Sequence, residues 1–206
     1  MKTKILFLFL ISYLPAFCQV DLYLSAGAGG SKYFNFQAEK WEHAELKLIP
    51  ISSAKFGADL VWKSGNKVEL YTGLHFFALG NKMKFVETHQ LLPNREFRFR
   101  HTYLQLPIGL NYPVFKSYGL CFSLNNGLQL SERNKSDVIY AVSKLWESSV
   151  SPGIYASYNN WRFSFSYYIG LVDVLGQGKN LDSDFRYYNH AMHFNLAYRI
   201  KTFGAK

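Results

Sequence analysis

The chain has little of what usually staples or anchors an exported protein. It holds two cysteines, Cys18 and Cys121, in 206 residues. Cys18 falls inside a segment expected to be removed, which leaves Cys121 alone. One cysteine makes no internal disulfide, so a disulfide scaffold is excluded. Beyond Pro15 no run approaches the roughly 18 or more continuous apolar residues of a spanning helix, so a helical membrane protein is excluded too. Acids are scarce: 14 Asp and Glu stand against 23 Lys and Arg, a net charge of +9. Such an excess calls for anionic partners. Export and the lack of any binding motif argue against nucleic acid.

What the chain does have is aromatic side chains. Phe and Tyr number 18 and 15, a composition that favours strands. It also begins with "MKTKILFLFLISYLPAFCQV", in which two lysines lead into an apolar run that stops at Pro15. That is the pattern of a secretory signal peptide over residues 1–18, with Ala16 and Cys18 as the small residues before cleavage at Gln19. A lipoprotein signal with Cys18 lipidated is disfavoured by bulky Phe17, and an N-terminal membrane helix by the shortness of the run. Residues 19–206 are then one domain.

Within that domain large apolar residues recur with a period of two, the mark of a strand with one greasy face. The pattern is clear in "HAMHFNLAYRI" (190–200), where Met192, Phe194, Leu196, Tyr198 and Ile200 share one side. It recurs over 20–28, 54–62, 67–78, 102–112, 119–130, 150–158 and 161–171. Each of these eight segments is near the 9–11 residues that cross a bilayer at a tilt. The other face is small or polar, with Ser25, Asp59, Glu69, His75, Gln105, Ser123, Asn125, Ser164, Ser166 and Asn195 among its members. Connections alternate between short ("KSGN", "PVFKS", "NN") and long, at about residues 29–52, 79–98, 131–147 and 172–188. Sorted loops are the signature of an outer-membrane barrel, with turns periplasmic and loops extracellular. Trp62, Tyr112, Tyr118, Tyr158, Trp161 and Tyr198 cluster beside the short turns, as an interfacial girdle would. The expected fold is therefore all-β: an eight-stranded antiparallel up-and-down transmembrane β-barrel, its apolar face toward lipid and both termini periplasmic.

The segments "KVELYTGLHFFALGNKMKF", "YLQLPIGLNY", "SPGIYASYNNWRFSFSYYIGL" and "HFNLAYRI" resemble the outer-membrane β-barrel domain family of Bacteroidetes-type bacteria, often labelled PorT-like. "YLQLPIGLNY" is the most specific of them. The resemblance covers most of the mature chain and implies an eight-stranded outer-membrane barrel. It implies little about activity: one class of member serves protein secretion and gliding, and a barrel pattern does not transfer that role.

Two constellations stand out inside the expected barrel. Asp59, Glu69, Arg162 and Arg199 all point inward near the periplasmic end and are expected to form one lumenal ion-pair network, since arginine forks suit carboxylates. The network reads as a plug, with a proton or ion path as the other reading. His75, His193 and His101 face inward nearer the extracellular end. They are read as a wet polar site; a metal site or a histidine–serine pair for lipid hydrolysis would use the same residues, but no dense motif supports either. No cofactor or metal is expected. In the long loops Lys32, Lys40, Lys47, Lys82, Lys84, Arg95, Arg98, Arg100, Arg133, Lys135, Lys179 and Arg186 are placed to meet lipopolysaccharide phosphates, which makes outer-membrane lipid and lipopolysaccharide the expected partners, with envelope proteins beside them. "REFRFRHTY" (95–103) should extend its strand above the membrane, with a register change or bulge near His101. "QAEKWEHAELKL" (37–48) reads equally as loop helix or strand. Together these features predict a non-enzymatic barrel for envelope structure, surface binding or a secretion or assembly complex. The alternatives are a lipid-modifying barrel enzyme and a small solute channel. Tethering to the cell wall is not expected.

Overall fold

The computed structural model describes residues 19–34, 44–63, 68–87, 95–134, 145–173 and 187–204. The signal peptide and the loop cations Lys40, Lys135, Lys179 and Arg186 lie outside them. Nine strands form: β1 (Gln19–Phe34), β2 (Ala44–Ile49), β3 (Ile51–Lys63), β4 (Glu69–Glu87), β5 (Arg95–Pro113), β6 (Tyr118–Asn134), β7 (Trp146–Tyr158), β8 (Trp161–Gly170) and β9 (Tyr188–Phe203). All pairings are antiparallel. The sheet order β2-β4-β3-β1-β9-β8-β7-β6-β5 is closed by β4–β5, so the sheet has become a barrel.

Nine strands make eight staves. β2 and β3 lie end to end along the same edge of β4, with Ile49 opposite Lys82 and Ala54 opposite Ala78. Five steps on one side match four on the other, and the extra residue falls beside Pro50. Proline cannot donate to a ladder, so the stave bulges there. The ambiguous stretch 37–48 is thus strand from Ala44 onward, and its first residues lie outside the described ones. Elsewhere the turns are built as expected. The hairpin at Asn159–Asn160 places Asn159 at φ 54, a left-handed conformation that asparagine tolerates.

The outside of the barrel is apolar. On β6 the outward side chains Leu120, Phe122, Leu124, Leu128 and Leu130 are all about half exposed. Ten residue steps at about 3.4 Å, tilted about 40°, rise about 26 Å, close to the roughly 25 Å apolar band of membrane barrels. Two polar contacts lie on this outer face. Ser148 Oγ donates to Asn126 Oδ1 (2.9 Å), and Thr72 Oγ1 donates to the Pro107 carbonyl (2.7 Å) where the β4–β5 ladder is interrupted. At the short-turn end Tyr112, Tyr118, Tyr158, Trp161 and Tyr198 are exposed, and Trp161 packs on Tyr198 with centroids 4.6 Å apart.

The long connections expected from the sequence are shorter than they look. β1 runs on to Phe34, β4 to Glu87 and β6 to Asn134, while β5 already begins at Arg95. In these upper extensions polarity is inverted. Met83, Phe97 and Phe99 point inward and are buried; Lys82, Lys84, Arg98 and Arg100 point outward. A search for outward apolar residues misses such segments, because above the membrane the solvent outside is water. "REFRFRHTY" alternates without a break, and the change from Arg to Leu on its outer face marks a change of solvent rather than of register. The bulge lies next to it: Thr102 pairs with Ser131 and Tyr103 with Gln129, so the extra residue is Leu130 of β6.

Candidate functional site

The lumen is a concave polar region that the barrel encloses, and it is layered. At the mouth beside the short turns, charges form a chain across five staves. Arg199 Nη1 lies 3.5 Å from Asp21 Oδ2, Lys63 Nζ 2.7 Å from the same oxygen and 3.9 Å from Glu69 Oε1, and Arg162 Nη2 2.8 Å from Glu69 Oε2. Thr202 also donates to Asp21 (2.6 Å), which is fully buried. Arg162 sits between two tyrosine rings, 5.0 Å from Tyr23 and 4.9 Å from Tyr155, a cation–π clamp that fixes its fork. The structure therefore brings Glu69, Arg162 and Arg199 into one network but leaves Asp59 out of it. Asp59 stands higher on β3 and meets no arginine among the described residues. Asp21 and Lys63 take its place.

Above the charged layer is a cavity of about 100 Å³, lined among others by Ser25, Lys55, Asp59, His75, Asn125 and His193. That is room for several waters, since one needs roughly 10–15 Å³, and far from a continuous passage. His75 Nε2 lies 2.9 Å from Asp59 Oδ1. Ser25 Oγ donates to Asp59 Oδ2 at 2.9 Å and lies 3.4 Å from the same His75 Nε2. Serine and aspartate thus converge on one ring nitrogen. Nucleophile activation needs them on opposite nitrogens, the acid orienting the imidazole while its other nitrogen takes the proton. Asn125 donates to Ser149 (3.1 Å) and Ser151 (2.9 Å) and accepts from Ser123 (3.1 Å), closing the far wall.

The cavity is roofed by side chains. Phe77, Leu79, Tyr103, Tyr168 and Ala191 form one buried apolar layer, and Tyr33, Met83, Phe97 and Phe99 a second above it, with Leu48 and Tyr187 against its edge. Glu147, 1% exposed, accepts two hydrogen bonds from Asn189 Nδ2 at 3.0 Å. Of the three histidines expected as one upper polar site, His75 and His193 line the same cavity and His101 stands apart from them. His75 belongs with Asp59, His193 with Ser53 (2.9 Å), and His101 with the Tyr33 hydroxyl (2.5 Å) inside the aromatic layers. No group of three His, Cys, Asp or Glu suited to a metal occurs among the described residues.

With this geometry in view, the comparisons define the fold. No family model and no curated protein matches the sequence. Among solved structures, Neisserial surface protein A superposes with a TM-score of 0.51 at 8% identity, covering 87% of this chain and 97% of that one. Ail of Yersinia pestis (TM-score 0.44, 12% identity, 89% and 99% covered) and the outer membrane protein OprG of Pseudomonas aeruginosa (0.41, 11%, 93% and 98%) are also similar. These are small outer-membrane β-barrel proteins. At 8% identity the likeness to the neisserial protein is one of fold. It agrees with the eight staves and the outward apolar band described above.

Several lumenal groups escape a first reading of the sequence. Asp21 has the same parity as Tyr23 and Ser25, and Lys55 and Lys63 the same as Asp59, so the period of two does mark them as inward. Glu147 stands in a segment read as loop. Small residues are part of the site as well. A Cβ at Gly57 would lie 2.2 Å from His75 Cδ2 and 2.2 Å from the Leu74 carbonyl oxygen, so the imidazole lies flat on the wall only because residue 57 has no side chain. Gly57→Ala is expected to cost about 1–3 kcal/mol by overpacking, read as a lower urea midpoint for the folded barrel. Unchanged stability would mean that His75 is not held against that wall.

Proposed function

We propose that the chain is a small non-enzymatic outer-membrane β-barrel, of the PorT-like kind its strand motifs resemble, that serves envelope structure, surface binding or a secretion or assembly complex. One observation carries this reading: the wall is apolar outside while the lumen is filled on both sides of its cavity, by ion pairs at the mouth and two apolar layers above. A lumen so filled supports a scaffold and offers a solute no continuous path. The shared ring nitrogen of Ser25 and Asp59 supports the non-enzymatic reading. The aromatic girdle beside the short turns supports periplasmic termini, and cations on the upper wall support an extracellular long-loop end whose partners are lipopolysaccharide and other envelope components.

The test is heat modifiability. Extracted in detergent, the chain should migrate at one position unboiled and at another after boiling, because the closed barrel resists the detergent of the gel until heated. A chain that folds and stays soluble in buffer without detergent would end the reading.

A further inference from the structure

The upper wall over β2, β4, β5 and β6 sets cations directly opposite one another. Residues directly opposite on adjacent strands face each other at close range, and like charges there are destabilising. On the outer face of this wall Lys82 stands opposite Arg98, Arg100 opposite Arg133, and Lys47 opposite Lys84. Glu96 meets Lys82 at 2.6 Å. Lys82 beside Glu96 holds that carboxyl below the usual range. Arg100 leans instead on the carbonyl and hydroxyl of Ser52, at 2.9 and 3.2 Å. Among the described residues the opposed cation pairs of the upper barrel lie on this side, while on β1 exposed Lys32 stands opposite His190. Across the barrel the same height carries aromatic groups: Phe34 against His190 with centroids 5.0 Å apart, the Tyr167 hydroxyl bonded to His190 Nδ1 (2.8 Å), and exposed Trp146.

The cations also sit at a definite height. On β5 the outward sequence is Arg98, Arg100, Thr102, Leu104, Leu106, Ile108, with Leu106 and Ile108 about half exposed. The basic patch therefore begins where the apolar band ends, at the level where the phosphates of a lipid leaflet lie. We infer that this wall is a binding surface for the phosphate groups of anionic membrane lipid, with Arg98 and Arg133 as two of its ligands. Opposed cations that repel one another in a neutral bilayer become a clamp when a phosphate lies between them, and arginine forks suit phosphate oxygens. This rests on the barrel reading above and adds a site to it.

The experiment uses the full mature chain refolded into vesicles, with the double variant Arg98→Gln, Arg133→Gln beside the parent. It relieves one opposed pair at each position and leaves the Lys82–Glu96 bridge intact. In phosphatidylcholine vesicles the variant should melt at or above the parent temperature. When phosphatidic acid is added to the bilayer, the parent should rise by several degrees and the variant by less than half as much. Because exposed charges are screened within about 10 Å at 0.1 M salt, added salt should shrink the parent's gain. Three outcomes would overturn the inference: equal gains for parent and variant, a variant less stable than the parent in neutral lipid, or the same gain from inorganic phosphate added to neutral vesicles, which would make the ligand a soluble anion. Failure of the parent to insert in any vesicle would count against the barrel reading itself.

Discussion

Phe165→Arg and Leu124→Arg should each prevent stable insertion into a bilayer. Both side chains project from the middle of the apolar band, 46% and 51% exposed in the isolated chain. In a membrane that exposure is contact with hydrocarbon, where an arginine near the midplane costs about 2–4 kcal/mol. The loss is concentrated in the inserted state, since the unfolded chain in water accommodates arginine freely. Folding into vesicles, followed by protection of the strands from added protease, is the measurement. Ser164→Arg is the control. Ser164 is lumenal and accepts a hydrogen bond from Asn195 at 3.5 Å, so arginine there overfills a narrow interior without meeting lipid. It should disturb packing in detergent as much as in a bilayer, whereas the two outward variants should fail chiefly in lipid. Normal insertion of Phe165→Arg and Leu124→Arg would reverse the assignment of the two faces.

Arg162→Ala should produce the second large effect. The guanidinium and Glu69 are each 12% exposed, so removing one leaves a mostly buried charge without its principal partner. Breaking a buried pair costs about 3–5 kcal/mol when burial is complete. Here Lys63 at 3.9 Å and Asn111 at 3.3 Å still attend Glu69, which places the expectation at the lower end, about 3 kcal/mol. An exposed pair would give about 0–1 kcal/mol. Adding Glu69→Ala should recover part of the loss, because the stranded carboxylate is then gone, and the double-mutant cycle isolates that coupling. Strictly additive changes in unfolding free energy would show that the two groups do not interact in the membrane. In a planar bilayer neither parent nor Arg162→Ala should carry steady current, because Phe77, Leu79 and Tyr168 still close the lumen above. Sustained conductance in the parent would favour a channel.

The wall was legible in the sequence because it obeys a single rule. Each of the eight expected segments became a strand, and the faces they assigned are the faces found, because one solvent lies outside and one crowded space inside. The rule fails where the outer solvent changes. Over Asn81–Lys84 and Glu96–Arg100 the alternation persists with its sense reversed, so those residues looked like loop. Pairing within the lumen was harder to read. Glu69 and Arg162 are 93 positions apart in the chain, and parity places both inside without saying which carboxylate an arginine will reach. Asp59 and Glu69 have the same parity. Strand register sets Asp59 opposite Gly73, where no side chain fills the space before it and His75 is the nearest basic group. The same limit separated His101 from the other histidines: its strand passes through the aromatic layers before it descends to the cavity.

The charged layer also bears on how long the closed ring lasts. Asp21 on the first strand is held by Arg199 and Thr202 on the last, across 178 and 181 positions of sequence. Contacts so distant along the chain repay their loop-closure cost only after everything between them is in place. Asp21 therefore works as a clasp on a finished hoop. It contributes little while the staves assemble one by one, and most of its effect falls on the rate at which the seam between β1 and β9 reopens. Exchange of its partners' backbone amides, followed over hours, would track the lifetime of that seam rather than the strength of any single stave.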